Sequence, residues 1–449
     1  MKGILADPSV SVSGVAEAQR EIEPQTWAMV KPNVLLVATG RWFTTARLAM
    51  ALKKAGFTVT AVCPVNHPLS KTSALERICT YNGVVPLSAI ENAIAASQPD
   101  FVVPCDDLAV QQLHQLYRKA RKGRSARTPI CELIERSLGA PECLPTLYAR
   151  TAFMELAAAE GIRVPKTAVV ANIRDLHKCA GKVGLPMVLK ANGTSGGAGV
   201  RVVDSIEEAE RAFRMLHAPP LLARAVKRAV LDRDYTLFWP LLRRQRAVVN
   251  AQAFIAGNEA TSAIACWKGE VLAGLHFQVL SKAEAAGHAT VLRLIENSEM
   301  AAATEAIARR LNLSGVHGFD FMLETDTGNA YLIEINPRAT QVGHLTLGPG
   351  RDIPAALHAA LSGATVQFAP KVTENNTIAL FPHEWIRDPR SSFLQSGYHD
   401  VPWDEPELLH ACIRARQRNR KWYSYWKKQH VFAAAGPVYG WSREDVQRS

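Results

Sequence analysis

From Asn33 onward the chain alternates short, wholly apolar runs with longer stretches of helical spacing. Val34 to Ala38 predicts a buried strand, Thr44 to Ala55 a helix stopped at Gly56, and Thr58 to Val62 a second strand. A helix around Ile90 to Ser97 then leads to the apolar run Phe101 to Val103, which ends in Pro104, Cys105, Asp106 and Asp107. Short apolar strands separated by helices predict an open parallel sheet. Ligands of such sheets lie beyond the carboxyl ends of the strands. Gly40, Arg41, Asp106 and Asp107 therefore border a crevice, either as binding groups or as ordinary loop residues. Gly40 stands alone before its helix, so a dinucleotide fingerprint is absent.

The pattern changes after the basic stretch Lys119 to Arg127, read as a boundary. Leu147 to Glu160 has helical spacing and is stopped by Gly161, Thr167 to Val170 reads as a strand, and Ile206 to Leu216 as an amphipathic helix. Between the last two, Pro186 to Val203 reads as a strand, a glycine-rich turn and a returning strand. The turn runs from Gly193 through Thr194, Ser195, Gly196 and Gly197 to Gly199, and its backbone N–H groups can gather round one anion without Cβ interference. Lys190 supplies a point charge to the same anion. No Gly-Lys-Ser/Thr follows, so this is not a Walker loop, and a hairpin without ligand would carry the same glycines. Further on, Val248 to Glu259 reads as a strand, a turn and an acidic residue, able to offer backbone groups to a purine edge and Glu259 to ribose hydroxyls.

Two β-rich runs, Phe319 to Leu323 and Tyr331 to Ile335, flank the turn Asp326-Thr327-Gly328-Asn329. A hairpin centred on Thr327 sets Asp320 opposite Glu334, with Cβ atoms roughly 5 Å apart. Asn336 lies on the same face, two residues beyond Glu334. Like charges directly opposite destabilise a sheet, so this set reads as oxygen ligands for Mg²⁺ or Mn²⁺. The alternative is a solvated hairpin face, against which the apolar remainder of both strands argues.

Composition adds limits. With 449 residues, 48% hydrophobic and 21% charged, the chain has room for two or three cored domains. Eight scattered cysteines without metal-ligand spacing suit a reducing cytoplasm. Met1 to Lys31 lacks the apolar region of a secretory signal and reads as a mobile tail, and no run reaches the length of a membrane span. The net charge of +11 is concentrated in Arg118 to Arg127 and Arg414 to Lys428. The latter segment, with Trp422, Tyr423, Tyr425 and Trp426, could suit nucleic acid or an anionic membrane, but a C-terminal helix packing its aromatics on the body is favoured.

The ordered set Gly161-Ile-Arg-Val-Pro, Val188-Leu-Lys-Ala-Asn with its glycine turn, Gln252 to Glu259, Gly318-Phe-Asp-Phe and Glu334-Ile-Asn-Pro-Arg resembles the ATP-grasp superfamily over about 33–361. The resemblance implies that Lys190 and Arg150 bind ATP phosphates, that Gly193 to Gly199 form the lid, and that Gln252, Ala253, Phe254 and Ile255 form the adenine hinge. It implies Glu259 on the ribose, Asp320, Glu334 and Asn336 on the metal ions, and Arg338 stabilising the transferred phosphoryl group. The implied fold is α/β: a Rossmann-like open parallel sheet domain (33–130), a two-lobed α+β ATP-grasp domain (131–372, small lid lobe about 165–256) and a C-terminal extension (373–449).

The implied activity is a ligase using ATP and Mg²⁺ (or Mn²⁺) to turn a carboxylate into an acyl phosphate that an amine displaces. Bicarbonate as the activated acid, or a non-catalytic ATP-binding module, are the alternatives. Arg150 stands where many members have Lys, Ala191 where Pro is common, and Gln252 where a hinge Glu is usual. Gly343-His344-Leu-Thr346 is similar to a continuation found in purine carboxylating ligases, so His344 either faces substrate or is a satisfied structural histidine. Thr377 to Phe381 reads as one more strand, and Trp385 to Trp403 as a wrapped extension. The acid, the amine and the oligomeric state are not legible; a homodimer is compatible with everything above.

Overall fold

The computed structural model describes residues 31–122, 128–192, 199–218, 246–284 and 287–414. Strands β1 (Asn33–Val37), β2 (Thr58–Cys63), β3 (Arg77–Thr80) and β4 (Phe101–Pro104) form a parallel sheet in the order β3-β2-β1-β4. Alternate residues of β1 enter different cores. Val34 and Leu36 pack with helix Phe43–Lys54, while Leu35 and Val37 pack with helices Pro86–Ser97, Asp107–Arg121 and Pro129–Leu138. Burial on both faces is why these strands read as unbroken apolar runs.

A second sheet contains β5 (Thr167–Val170), β6 (Met187–Ala191), β7 (Val200–Val203) and β8 (Val249–Ala253), in the order β5-β8-β6-β7. Helices Ile173–Val183 and Ile206–His217 cover one of its faces, packing on Met187, Leu189, Val203, Val249 and Ala251. The third sheet has seven strands: β9 (Gly257–Trp267), β10 (Glu270–Lys282), β11 (Ala289–Leu294), β12 (Gly315–Glu324), β13 (Ala330–Asn336), β14 (Thr377–Ala379) and β15 (Tyr398–His399). Their order is β13-β12-β9-β10-β11-β14-β15. Ile264, Cys266, Phe319, Phe321 and Ile335 pack on helix Ser298–Arg310, whereas Ala263, Ala265, Leu275 and Phe277 share a core with helix Phe43–Lys54 and β1.

Two expected elements differ. The helix expected over Leu147 to Glu160 is two helices, Leu144–Tyr148 and Arg150–Ala159, because Ala149 is extended (φ −94, ψ 93). The strand expected over Thr377 to Phe381 ends at Ala379; Leu380 and Phe381 are instead buried against the sheet core. The stretch after it wraps back onto the N-terminal sheet. Phe381 meets Phe43 edge-on with ring centroids 5.5 Å apart, and Glu405 accepts from Thr72 Oγ1 (2.9 Å) and Ser73 Oγ (2.8 Å). Of the basic segment Arg414 to Lys428, only Arg414 lies among the described residues.

Gly139 closes helix Pro129–Leu138 at φ +91 and bridges to Leu313, so that a Cβ there would sit 2.2 Å from the Asn312 carbonyl oxygen. Backbone cannot yield as a side chain can. Gly139→Ala is expected to cost about 1–3 kcal/mol, read as a lower urea midpoint at unchanged slope; an unchanged midpoint would contradict it.

Candidate active site

The β12–β13 register pairs Asp320 with Glu334 and Gly318 with Asn336, as expected, but a bulge follows Asp320 and the rungs nearer the turn, from Phe321 with Leu332 to Leu323 with Ala330, are one residue off a centring on Thr327. Thr261 of β9 faces Asp320 from the other side. Asn336 Nδ2 donates to Asp320 Oδ2 at 2.9 Å, and its Oδ1 accepts from Arg338 Nη2 at 3.1 Å. Arg150 stands at the start of the helix that the break at Ala149 creates, and its Nη2 donates to Glu334 Oε1 at 2.8 Å.

The two carboxylates are pushed apart in acidity. Burial first, and the charge of Glu334 second, raise the Asp320 carboxyl to about 6. Burial also opposes ionisation of Glu334, yet the Arg150 guanidinium and Lys190 hold it below the ordinary range. Lys190 is 6% exposed, and burial brings its ammonium down to about 8, with Arg150 adding and Glu334 offsetting. Lys190, Arg150, Glu334 and Asp320 thus share one electrostatic cluster joining the small sheet to the hairpin.

The register of the small sheet explains what surrounds Lys190. Lys190 pairs with Asn250 and Val200, Val188 with Gln252 and Val202, and Thr167 with Gln252. All lie on the face away from the covering helices, beside Val169 and Val202, which are 49% and 53% exposed. An open apolar face carrying one buried cation suits a flat ligand with an anionic end. Asn250 Oδ1 accepts from Thr151 Oγ1 (2.9 Å), and its Nδ2 donates to Asn192 Oδ1 (2.8 Å), which fixes the strand beside Lys190.

Other expected residues sit differently. The Gln252 side chain lies along the sheet and donates to its cross-strand neighbour Thr167 Oγ1 at 3.1 Å. Ala253 ends β8, and Phe254 and Ile255 form the link to β9. Glu259 is ion-paired with Lys282 Nζ at 2.6 Å, a partner missed from sequence because the two lie beyond the last β9–β10 rung, Ala260 with Gln278, in a ladder whose register a bulge near Val271 shifts by one. Gly193, Thr194, Ser195, Gly196 and Gly197 lie outside the described residues, while the Gly199 carbonyl accepts from Ala191 N at 2.9 Å.

Asp106 caps helix Asp107–Arg121 and accepts from Thr39 N and Gly40 N, which is loop chemistry. Asp107 instead reaches Arg338, its Oδ1 accepting from Nε at 2.8 Å. His344 Nε2 lies 2.6 Å from the buried Asp400 carboxylate that also pairs with Arg47, while its Nδ1 is buried without a hydrogen-bond partner among the described residues.

Two carboxylates and an amide oxygen from adjacent strands are hard oxygen donors. That donor set, with the burial and the facing Glu334 charge that raise Asp320, fits a divalent cation such as Mg²⁺. Asn336 keeps a second lone pair after accepting from Arg338.

Residues 149–347 match the family described as carbamoyl-phosphate synthase L chain, ATP binding domain. The carbamoyl phosphate synthase arginine-specific large chain of Geobacillus stearothermophilus is 23% identical over 396 residues, covering 83% of this chain and 34% of that protein. The N-terminal section of the Aquifex aeolicus carbamoyl phosphate synthase large chain is 23% identical over 195 residues, covering 43% of this chain and 32% of that one. The chain therefore spans about a third of the length of these curated relatives.

Among solved structures, the biotin carboxylase domain dimer of Hydrogenobacter thermophilus 2-oxoglutarate carboxylase, in complex with MgADP, ADP and bicarbonate, has a TM-score of 0.53 at 14% identity, covering 75% of this chain and 71% of that one. The N5-carboxyaminoimidazole synthase of Aspergillus clavatus, in complex with ADP and 5-aminoimidazole ribonucleotide, has a TM-score of 0.53 at 16% identity, covering 76% and 78%. At these identities the likeness is one of fold. The motif order, the family domain matched over residues 149–347 and the shared fold together support the ATP-grasp superfamily for that part of the chain.

Proposed function

We propose that the chain is an ATP-dependent ligase that activates a carboxylate as an acyl phosphate and passes the acyl group to an amine. The observation that carries this is the pairing of Asp320 with Glu334 in one charge cluster with Lys190 and Arg150. Phosphoryl transfer asks for positioning and charge stabilisation rather than a protein nucleophile. In the proposed reaction a carboxylate oxygen bonds to the γ-phosphorus, the bond from that phosphorus to the β–γ bridging oxygen breaks, and ADP leaves. The amine nitrogen then bonds to the acyl carbon, phosphate departs with the C–O bonding pair, and the amine proton passes to solvent.

In this assignment Lys190 and Arg150 neutralise the phosphates, the open face bearing Val169, Val188 and Val202 covers the purine, and backbone from Gln252 to Ile255 meets its edge. The turn Gly193 to Gly199 acts as the lid, and Glu259, held by Lys282, takes the ribose. Asp320, Glu334 and Asn336 would hold Mg²⁺, which would supply charge neutralisation to the phosphates. Arg338 stabilises charge on the phosphoryl group in transit. The N-terminal parallel sheet is assigned as a Rossmann-like domain preceding the ATP-grasp lobes, with the small sheet as the lid lobe, and a cytoplasmic location goes with the unpaired cysteines.

Bicarbonate as the activated acid is a second form of this proposal, supported by the bicarbonate in the Hydrogenobacter thermophilus complex. ADP release with Mg²⁺ should rise on adding the right acid and amine, or bicarbonate and amine, and vanish in Asp320→Ala. MgATP binding with no turnover on any panel would favour a non-catalytic binding module. A milder variant probes the ribose end. Lys282→Met should raise the KM for ATP about threefold to tenfold at nearly constant kcat, since Glu259 loses its orienting partner; a fall in kcat alone would contradict that role.

A further inference from the structure

The Arg338 guanidinium is fixed from three directions. Nε donates to Asp107 Oδ1 at 2.8 Å, Nη2 to Asn336 Oδ1 at 3.1 Å, and Nη1 to the Ala339 carbonyl at 3.3 Å. The first of these partners is 231 positions away, in the part of the chain that builds the parallel sheet.

Asp107 is itself held. It opens helix Asp107–Arg121, whose cap Asp106 accepts from Ala109 N at 2.9 Å, from Thr39 N at 2.6 Å and from Gly40 N at 3.1 Å. Ala339 N donates to the Pro104 carbonyl at 3.0 Å, sewing the residue after Arg338 to the end of β4. A carboxylate in a first helical turn is favourable with or without an arginine beside it, so the helix does not require this pair. The Asp107 and Arg338 side chains are 39% and 21% exposed, so water still screens the pair and its contribution to stability is modest. What the pair does is remove rotational freedom from a long cation whose other end meets the Asn336–Asp320 edge of the hairpin.

We infer that Asp107 is a positioning residue for Arg338 in phosphoryl transfer, acting without touching the nucleotide; this rests on the ligase reading above. The parallel sheet thereby contributes to the chemical step as well as to any crevice of its own. Binding of a nucleoside diphosphate needs the Lys190 and Glu259 end of the cleft, whereas a phosphoryl group in transit needs an oriented Arg338.

The test measures MgADP affinity of the full chain by calorimetry, with and without aluminium fluoride as a mimic of the phosphoryl group in transit. Wild type should bind MgADP, and more tightly with the fluoride. Asp107→Asn should keep MgADP affinity within about twofold and lose at least about tenfold of the fluoride enhancement, with partial recovery in Asp107→Glu. Full enhancement in Asp107→Asn overturns the inference while leaving the ligase reading intact. Equal weakening of both affinities also overturns it, because that pattern is general loosening. No MgADP binding by wild type overturns the ligase reading and this inference with it.

Discussion

Asp320→Asn is expected to lose Mg²⁺-dependent ADP release by about 10²- to 10³-fold and, in Mg²⁺-free buffer, to be more stable than the wild type. Both effects have one origin. The carboxyl is raised from 3.8 to about 6 by burial and by Glu334 across the ladder. Between those two pH values the folded state binds more protons than the unfolded state, so this group's contribution to stability falls as pH rises through the window. Above it, the ionised carboxylate costs about 2–3 kcal/mol, which Asn does not incur. The stability gain should therefore be full at pH 7–8, shrink below pH 6 and vanish near pH 4. Thermal melts with chelator across that range provide the check, and added Mg²⁺ should stabilise the wild type only. A variant that is inactive and no more stable at pH 8 would mean that Asp320 does not carry an ionisation penalty.

Lys190→Met should lower kcat/KM for ATP by about 10²-fold, because a buried ammonium facing phosphate acts in a region of low dielectric. The pH dependence separates this from a packing defect. Burial brings Lys190 from 10.5 to about 8, so in the ligand-free protein its charge is lost as pH rises through about 8. ADP affinity should fall over pH 8–10 in the wild type and stay flat in Lys190→Met. Stability moves the other way: between about 8 and 10.5 the unfolded state holds more protons, so the wild type gains stability with pH there relative to the variant. Parallel affinity profiles for the two proteins would sink the assignment.

The hairpin was legible from its turn and its alternating strands, but the rungs next to the turn (Leu323 with Ala330, Phe321 with Leu332) would set Asp320 opposite Ile333, and a one-residue bulge that sequence does not show brings it to Glu334. The parallel strands were legible because burial on both faces leaves no polar alternation to misread. What sequence did not yield depends on contacts between distant segments. Lys282 reaches Glu259 through pairing of β9 with β10, Asp107 reaches Arg338 across 231 positions, and Asp400 reaches His344 from the wrapped extension. The break at Ala149 was hidden for another reason: alanine is the best helix former, so propensity gave no sign that tertiary contacts of Arg150 and Thr151 would hold it extended.

The wrapped extension bears on how the chain comes to be folded. Arg47 meets Asp400 and Ser73 meets Glu405 across 353 and 332 positions, so the parallel sheet receives packing partners from a segment synthesised long after it. At about 5–20 residues per second of synthesis, its helix Phe43–Lys54 waits for tens of seconds with an apolar side uncovered. Closure is thus a late, long-range event, and a nascent chain stopped short of residue 400 is the form most exposed to aggregation or chaperone capture.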